Sequence, residues 1–296
     1  MAALQWVPVF YVPNHSMTRP LLHFVHGNSY PSGAYGRLLD ALRDHYDVRT
    51  TDMLGHDPRY PVDDNWHGLV AELSAQLEAY PEPAILVGHS LGGAVAMLAA
   101  ARRPALARCV VMLDSPVVGG WRALFWRLIK ILGLGRRLSP GGVALRRRHL
   151  WPSREAAYEH FHAKPLFRAW APGALDDYLE HGLVPHADGV QLRFSREVES
   201  AIYSTLPHDM DGILRAPFPV PIGFVAGTDS LELRRAGLEA TRRLVGDKLV
   251  TIPGTHLYPM ESPELTARLT HEMIERLLAG GQTGGQGRGG RMAVAI

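Results

Sequence analysis

Ala84-Ile85-Leu86-Val87-Gly88-His89-Ser90-Leu91-Gly92-Gly93 is an apolar run that ends in Gly-x-Ser-x-Gly. It passes straight into Ala94-Val95-Ala96-Met97-Leu98-Ala99-Ala100, a strong helix former. The order is strand, sharp turn, helix, with a serine at the apex. Gly88 and Gly92 flank Ser90 where strand and helix pack too closely for side chains. The serine is expected in a strained backbone conformation that points its hydroxyl out of the fold. A pattern with three specified residues in five also arises by accident in a chain with 30 glycines, so the plain alternative is a Gly-rich loop. The position between a buried strand and a buried helix favours the serine turn.

The 296 residues are 46% apolar and 20% charged, enough for one large α/β domain or a core domain with an inserted subdomain. A net charge of +2 gives no reason to expect nucleic acid, and the basic residues gather locally, in the 122–148 region. Cys109, the single cysteine, cannot form an internal disulfide and reads as a small buried strand residue in Cys109-Val110-Val111-Met112-Leu113. Met1-Ala2-Ala3-Leu4-Gln5-Trp6 has no basic leader followed by an apolar stretch. No apolar run of about 18 residues occurs, so the expectation is a soluble cytoplasmic protein without stable membrane insertion. Oligomeric state is not legible.

Short apolar runs alternate with helical patterns, which predicts an α/β fold with a mainly parallel central sheet flanked by helices. Strands are expected at Val7–Val12, Leu21–Val25, Tyr46–Thr51, Ala84–Val87, Cys109–Leu113, Ile222–Ala226 and Lys248–Ile252. Helices are expected over Tyr35–Asp44, about 65–80, after Ser90, roughly 232–244 and roughly Ser262–Leu278. The alternation stops after Asp114-Ser115-Pro116 for almost one hundred residues of mostly short helices. Trp121–Leu134 carries Leu124, Leu128, Ile131 and Leu132 as a stripe among Arg122, Arg127 and Lys130. Ser153–Ala163 and Pro172–Gly182 read as further helices, and Asp188-Gly189 as the turn of a small hairpin. The organisation predicted is therefore a core in two parts, 1–116 and 213–278, an inserted, mostly helical cap at 117–212, and a disordered Gly-rich tail at 279–296.

A serine hydroxyl needs a base, and the base needs a partner that fixes its tautomer. Downstream of Ser90, Gly227-Thr228-Asp229 and Pro253-Gly254-Thr255-His256 each follow a predicted strand, placing Asp229 and His256 on the sheet edge that bears the serine. His256 is the expected base. Asp229 is the expected acid, in the chain order Ser, Asp, His, with Asp114 at the end of a neighbouring strand as the alternative. His26 and His89 are expected to support loops. Backbone amides of Leu91 and Asn28 are the expected oxyanion donors, with Ser29 in reserve for the second.

With these segments in order, the chain resembles an α/β-hydrolase fold protein from residue 7 to about 278. The resemblance rests on His26-Gly27-Asn28, Asp52-Met53-Leu54-Gly55-His56, Gly88-His89-Ser90-Leu91-Gly92-Gly93, Gly227-Thr228-Asp229 and Gly254-Thr255-His256. It implies a Ser90–His256–Asp229 triad, an Asn28/Leu91 oxyanion hole and a cap at the insertion. Ser90 stands where dehalogenases and epoxide hydrolases of this fold have a carboxylate. Hydrolysis of a small to medium apolar carboxylic ester through an acyl-enzyme, without cofactor or metal, is the leading expectation. Carbon–carbon bond, lactone or thioester hydrolysis by the same residues is the enzymatic alternative, and small-ligand binding without turnover the non-enzymatic one. The cap aromatics Trp121, Phe125, Trp126, Trp151, Tyr158, Phe161, Phe167, Trp170 and Tyr178 are divided between packing and an acyl pocket. The basic residues read as a solvated face, with attraction to an anionic lipid surface or an acidic substrate as the lesser alternative.

Overall fold

The computed structural model describes residues 19–215 and 217–282, so the strand expected at Val7–Val12 and all but the first residues of the Gly-rich tail lie outside the described residues. The first part of the chain runs β1 (Leu21–Val25), α1 (Gly36–Arg43), β2 (Asp47–Thr51), α2 (His67–Glu78), β3 (Ala84–His89), α3 (Leu91–Arg102) and β4 (Ala107–Leu113). A long intervening stretch contains α4 (Trp121–Ile131), α5 (Gly135–Leu138), α6 (Gly141–Arg146), β5 (Leu150–Trp151), α7 (Arg154–His162) and α8 (Pro165–Arg168). It continues with α9 (Ala174–Gly182), β6 (Leu183–His186), β7 (Gly189–Leu192), α10 (Arg196–Ser204) and α11 (Asp211–Arg215). The last part is β8 (Ile222–Gly227), α12 (Leu231–Ala236), α13 (Glu239–Val245), β9 (Leu249–Ile252), α14 (Tyr258–Glu261) and α15 (Pro263–Gln282).

Six strands form one parallel sheet in the order β2-β1-β3-β4-β8-β9. Successive side chains of a strand face opposite ways, and here both faces are covered. Ile85, Val87, Cys109, Val111 and Leu113 join the α1 and α15 side, with Leu38, Leu42, Ile274 and Leu277. Leu86, Val110 and Met112 join the α2 and α3 side, with Leu69, Leu73, Leu77 and Val95. The cysteine is buried and unpaired, as its apolar neighbours suggested.

Several boundaries shift for local reasons. The helix expected over 232–244 breaks into α12 and α13 at Gly237, whose φ of 76° no β-carbon-bearing residue adopts easily. Helix α15 continues past Leu278 to Gln282, into the segment expected to be disordered. The small hairpin forms as β6 and β7, and Leu150–Trp151 adds a third strand to it. Ser153 caps α7, its hydroxyl oxygen accepting from the Ala156 amide at 3.2 Å.

Trp151, Phe161, Phe167, Trp170 and Tyr178 from the intervening stretch are buried in the same cluster as Leu22 and Val87 of the sheet. Their rings meet edge-on or tilted; Phe161 and Tyr178, for example, stand 5.4 Å apart at 89°. Such pairs contribute about 0.5–1.5 kcal/mol beyond the area they bury. These five aromatics fasten the insertion to the core.

Candidate active site

The turn after β3 is as tight as its glycines suggest. A β-carbon on Gly88 would stand 2.4 Å from the Gly92 carbonyl carbon, and one on Gly92 would stand 2.0 Å from the Val25 oxygen. Ser90 between them adopts φ 52° and ψ −117° as the N-cap of α3. A non-glycine residue rarely takes this backbone, which here turns the serine out of both strand and helix. The Ser90 amide donates to the Leu113 carbonyl at 2.9 Å, tying the turn to the end of β4.

His256 follows β9 and brings its imidazole to the serine. Ser90 Oγ lies 3.0 Å from His256 Nε2, and His256 Nδ1 lies 2.7 Å from Asp114 Oδ2. With Nδ1–H donating to the carboxylate, Nε2 is left to accept the serine proton. Such a chain can carry a proton from hydroxyl to imidazole while the carboxylate steadies the cation that results.

The carboxylate that reaches His256 is Asp114 and not Asp229. His89 and Leu113 are paired across β3 and β4, so Ser90 and Asp114 leave the sheet side by side, one strand apart. Asp114 is fully buried with φ 45°. Its Oδ1 accepts from the Gly227 amide at 2.8 Å and its Oδ2 from the Ser230 hydroxyl at 2.5 Å. Asp229 turns outward: its side chain is 65% exposed and stands 3.5 Å from Arg234 Nη2. The loop after β8 therefore holds the carboxylate that orients the histidine instead of providing it. Ser230, one residue past Asp229, is the inward-facing member of that loop, and it also caps α12 by accepting from Leu233 N.

His26 and His89 hold loops, as expected. Burial drives His26 down to about 4, and it stays neutral, donating from Nδ1 to the Gly27 carbonyl while Nε2 accepts from the Leu54 amide. Burial, and after it the neighbouring His256, push His89 well below the ordinary histidine value. Its Nε2–H can only donate to the His256 carbonyl, at 2.9 Å, so its Nδ1 accepts from the Tyr35 hydroxyl at 2.7 Å. Tyr35 in turn accepts from the Gly27 amide at 3.0 Å. One chain of hydrogen bonds thus links the loop after β1 to the backbone of His256.

A cavity of about 300 Å³ opens over Ser90 and His256. Asn28 and Tyr30 line it from the loop after β1, Leu166 and Tyr203 from the insertion, Asp229 from the loop after β8, and Leu231 and Glu232 from the first turn of α12. The aromatic candidates of the insertion are absent from that lining. Leu166 and Tyr203 take their place, and nothing in their local sequence set them apart. Glu232 was also missed; its Oε2 comes to 4.0 Å from His256 Nδ1. Leu91 is buried at the first turn of α3, and Asn28 is buried with its Nδ2 donating to the Glu199 carbonyl at 3.3 Å and its Oδ1 unpartnered. Behind Asn28, Glu199 is raised by burial and faces Arg147 at 2.9 Å.

Known proteins resemble this chain over part or most of its length. Lipase LipV of Mycobacterium tuberculosis is 36% identical over 91 residues, 28% of this chain and 34% of that protein. The pimeloyl-[acyl-carrier protein] methyl ester esterase of Xanthomonas oryzae pv. oryzae is 30% identical over 97 residues. That match takes in 33% of this chain and spans only 38% of the esterase's length. A longer match, 26% identical over 265 residues, links 86% of the chain to 88% of 2-(acetamidomethylene)succinate hydrolase from Mesorhizobium japonicum. The crystal structure of E-2-(acetamidomethylene)succinate hydrolase superposes with a TM-score of 0.69 at 25% identity, covering 87% of this chain and 92% of that one. A family model described as the alpha/beta hydrolase family matches residues 24–269. The chain belongs to the alpha/beta hydrolase family.

Proposed function

We propose that this protein is a serine hydrolase that cleaves carboxylic esters through an acyl-enzyme. The observation that carries the reading is the continuous chain Ser90 Oγ, His256, Asp114, at 3.0 and 2.7 Å, whose first two members line the cavity. His256 Nε2 takes the serine proton as Oγ attacks the ester carbonyl. Asp114 stabilises the imidazolium, and the same proton then leaves with the alcohol. Water repeats the sequence on the acyl-enzyme, with His256 again as base. The backbone amides of Asn28 and Leu91 are the proposed donors to the oxyanion; support comes from their places beside Ser90, on the cavity loop and at the start of α3.

Residues 117–212 act as a cap in this reading, since they contribute Leu166 and Tyr203 to the cavity lining. A second reading follows the long match to 2-(acetamidomethylene)succinate hydrolase, namely action on a small dicarboxylate. The cavity favours an uncharged ester instead. Asp229 and Glu232 line it, and among the described residues its lining includes no lysine or arginine to receive a carboxylate.

A fluorophosphonate probe should label the purified protein, and Ser90→Ala should abolish both label and ester turnover. Undiminished turnover in Ser90→Ala would sink the proposal. A panel of neutral esters, lactones, thioesters and dicarboxylates then ranks the substrates.

A further inference from the structure

Helix α4 is built inside out. It buries Ala123 and Ile129, while Trp121, Leu124, Phe125, Leu128 and Ile131 are exposed by 67, 63, 57, 52 and 72%. Those positions follow i, i+3, i+4, i+7 and i+10, so they form one stripe along the helix, and it faces solvent. On the other side Lys130, its side chain only 10% exposed, turns back to Asp64 and to the Leu206 carbonyl at 2.8 Å. Leu132, Leu138 and Val143 extend the outward apolar surface at 60, 60 and 64% exposure. An exposed patch of this extent marks a contact surface.

The charge around it narrows the choice of partner. Between Asp114 and Glu155 the chain has no acidic residue, yet 121–148 contains Arg122, Arg127, Lys130, Arg136, Arg137, Arg146, Arg147 and Arg148. Arg127, Arg137, Arg146 and Arg148 are exposed, and Arg122 lies 4.8 Å from the Trp121 ring. A second copy of this face across a two-fold axis would set these cations against themselves. A bilayer rich in anionic lipid satisfies both features, taking the apolar stripe below the headgroups and the guanidinium groups at their level. No helix among the described residues is long and apolar enough to cross a membrane, so the contact is one of lying on the surface.

We propose that α4 and the α5–α6 segment after it form a docking face for an anionic phospholipid surface. The proposal does not depend on which bond the Ser90 site cleaves. The test is flotation of the full chain with large unilamellar vesicles of phosphatidylglycerol and phosphatidylcholine, against vesicles of phosphatidylcholine alone. Partitioning onto the anionic vesicles should exceed that onto the neutral ones at least tenfold and fall steeply with added salt. The double variant Leu124→Glu, Phe125→Glu should lose at least tenfold in partitioning with an unchanged thermal midpoint. Arg127→Gln and Arg137→Gln should each lose about fivefold. Absence of binding to anionic vesicles, or equal binding by wild type and the double variant, overturns the proposal. So does a dimer in light scattering that the double variant dissociates, since the face would then belong to a second copy.

Discussion

Ser230 Oγ lies 2.5 Å from Asp114 Oδ2, the same carboxylate oxygen that meets His256 Nδ1 at 2.7 Å. With the Gly227 amide on Oδ1, the buried carboxylate receives three hydrogen bonds. It needs them: an ionised group with no exposed surface persists only when it is paired and fully solvated by donors. The end of β8, with Gly227, and the loop after it, with Ser230, are thus part of the acid's environment. Asp114→Asn should lower kcat on the order of 10⁴-fold by disturbing the histidine tautomer. Asp229→Asn should leave kcat on a neutral ester within about threefold. Steady-state kinetics of the two variants side by side separate the assignments; a larger loss in Asp229→Asn would reverse them.

Ser230→Ala isolates the support of the acid. It removes one of the three donors and also the cap on α12, because the same hydroxyl oxygen accepts from Leu233 N at 3.1 Å. Loss of such a cap costs roughly 1 kcal/mol. The expected result is a lower thermal midpoint together with a fall of about tenfold in kcat. Ser230→Thr, which keeps the hydroxyl, should recover most of both.

Sequence patterning was sufficient for the elements that bring Ser90 and His256 together, because each sits at the end of a buried strand and beside a tight turn. It was insufficient for the acid. Asp114 and Asp229 both follow apolar strands, and only the pairing of His89 with Leu113 puts Asp114 beside Ser90. Strand neighbours are a three-dimensional fact that no local pattern contains. The cavity lining was hidden for the same reason: Leu166 and Tyr203 come from helices whose apolar residues look alike, whereas the conspicuous Trp151, Phe161 and Trp170 serve the core. The Leu124–Leu132 stripe was legible as a periodicity, but its outward direction was not, since periodicity fixes a face without saying what it meets.

The acidic mouth predicts charge selectivity. Asp229 and Glu232 line the cavity, and each raises the electrostatic cost of an anionic acyl group. For unit charges several ångströms apart near a protein surface, the effect is roughly 2- to 10-fold per charge. The ratio of kcat/KM for a carboxylate-bearing ester to that for its neutral isostere should therefore rise by that factor in Asp229→Asn. It should also rise when ionic strength increases in the wild type. A ratio insensitive to both would count against the acidic mouth as a selector.

Two buried histidines predict how stability depends on pH. Desolvation drives His23 and His26 from 6.5 down to about 4 in the folded chain. Between those values the unfolded chain binds protons that the folded chain refuses, so stability falls as pH drops from about 6.5 to about 4 and the loss levels off below. Each group contributes up to about 3 kcal/mol to that loss. His23 is the cleaner probe, since it lies away from the cavity, between the Tyr80 hydroxyl at 2.8 Å and Thr51 Oγ1 at 2.9 Å. Urea midpoints measured across this range should fall less steeply in His23→Gln than in the wild type. Parallel curves would remove His23 from the account.

The chain Gly27 N–H to Tyr35 O–H to His89 Nδ1, continued by His89 Nε2–H to the His256 carbonyl, predicts a coupled effect on stability and turnover. Tyr35 is buried, and its hydroxyl is hydrogen-bonded to the Gly27 amide and to His89 Nδ1. Tyr35→Phe leaves the Gly27 amide and His89 Nδ1 without that partner, at roughly 1–3 kcal/mol for each group stranded. It also frees His89 to adopt the other tautomer, which would place a lone pair of Nε2 against the His256 carbonyl oxygen and push that backbone away. The expected outcome is a Tyr35→Phe protein less stable by a few kcal/mol, with kcat lowered about tenfold and KM nearly unchanged. His89→Gln, placed in the same background, tests the route. If the tyrosine acts through the imidazole, the double variant should be little worse in kcat than His89→Gln alone. Additive losses in kcat would show that Tyr35 supports the Gly27–Asn28 loop directly and that the imidazole carries no part of its effect.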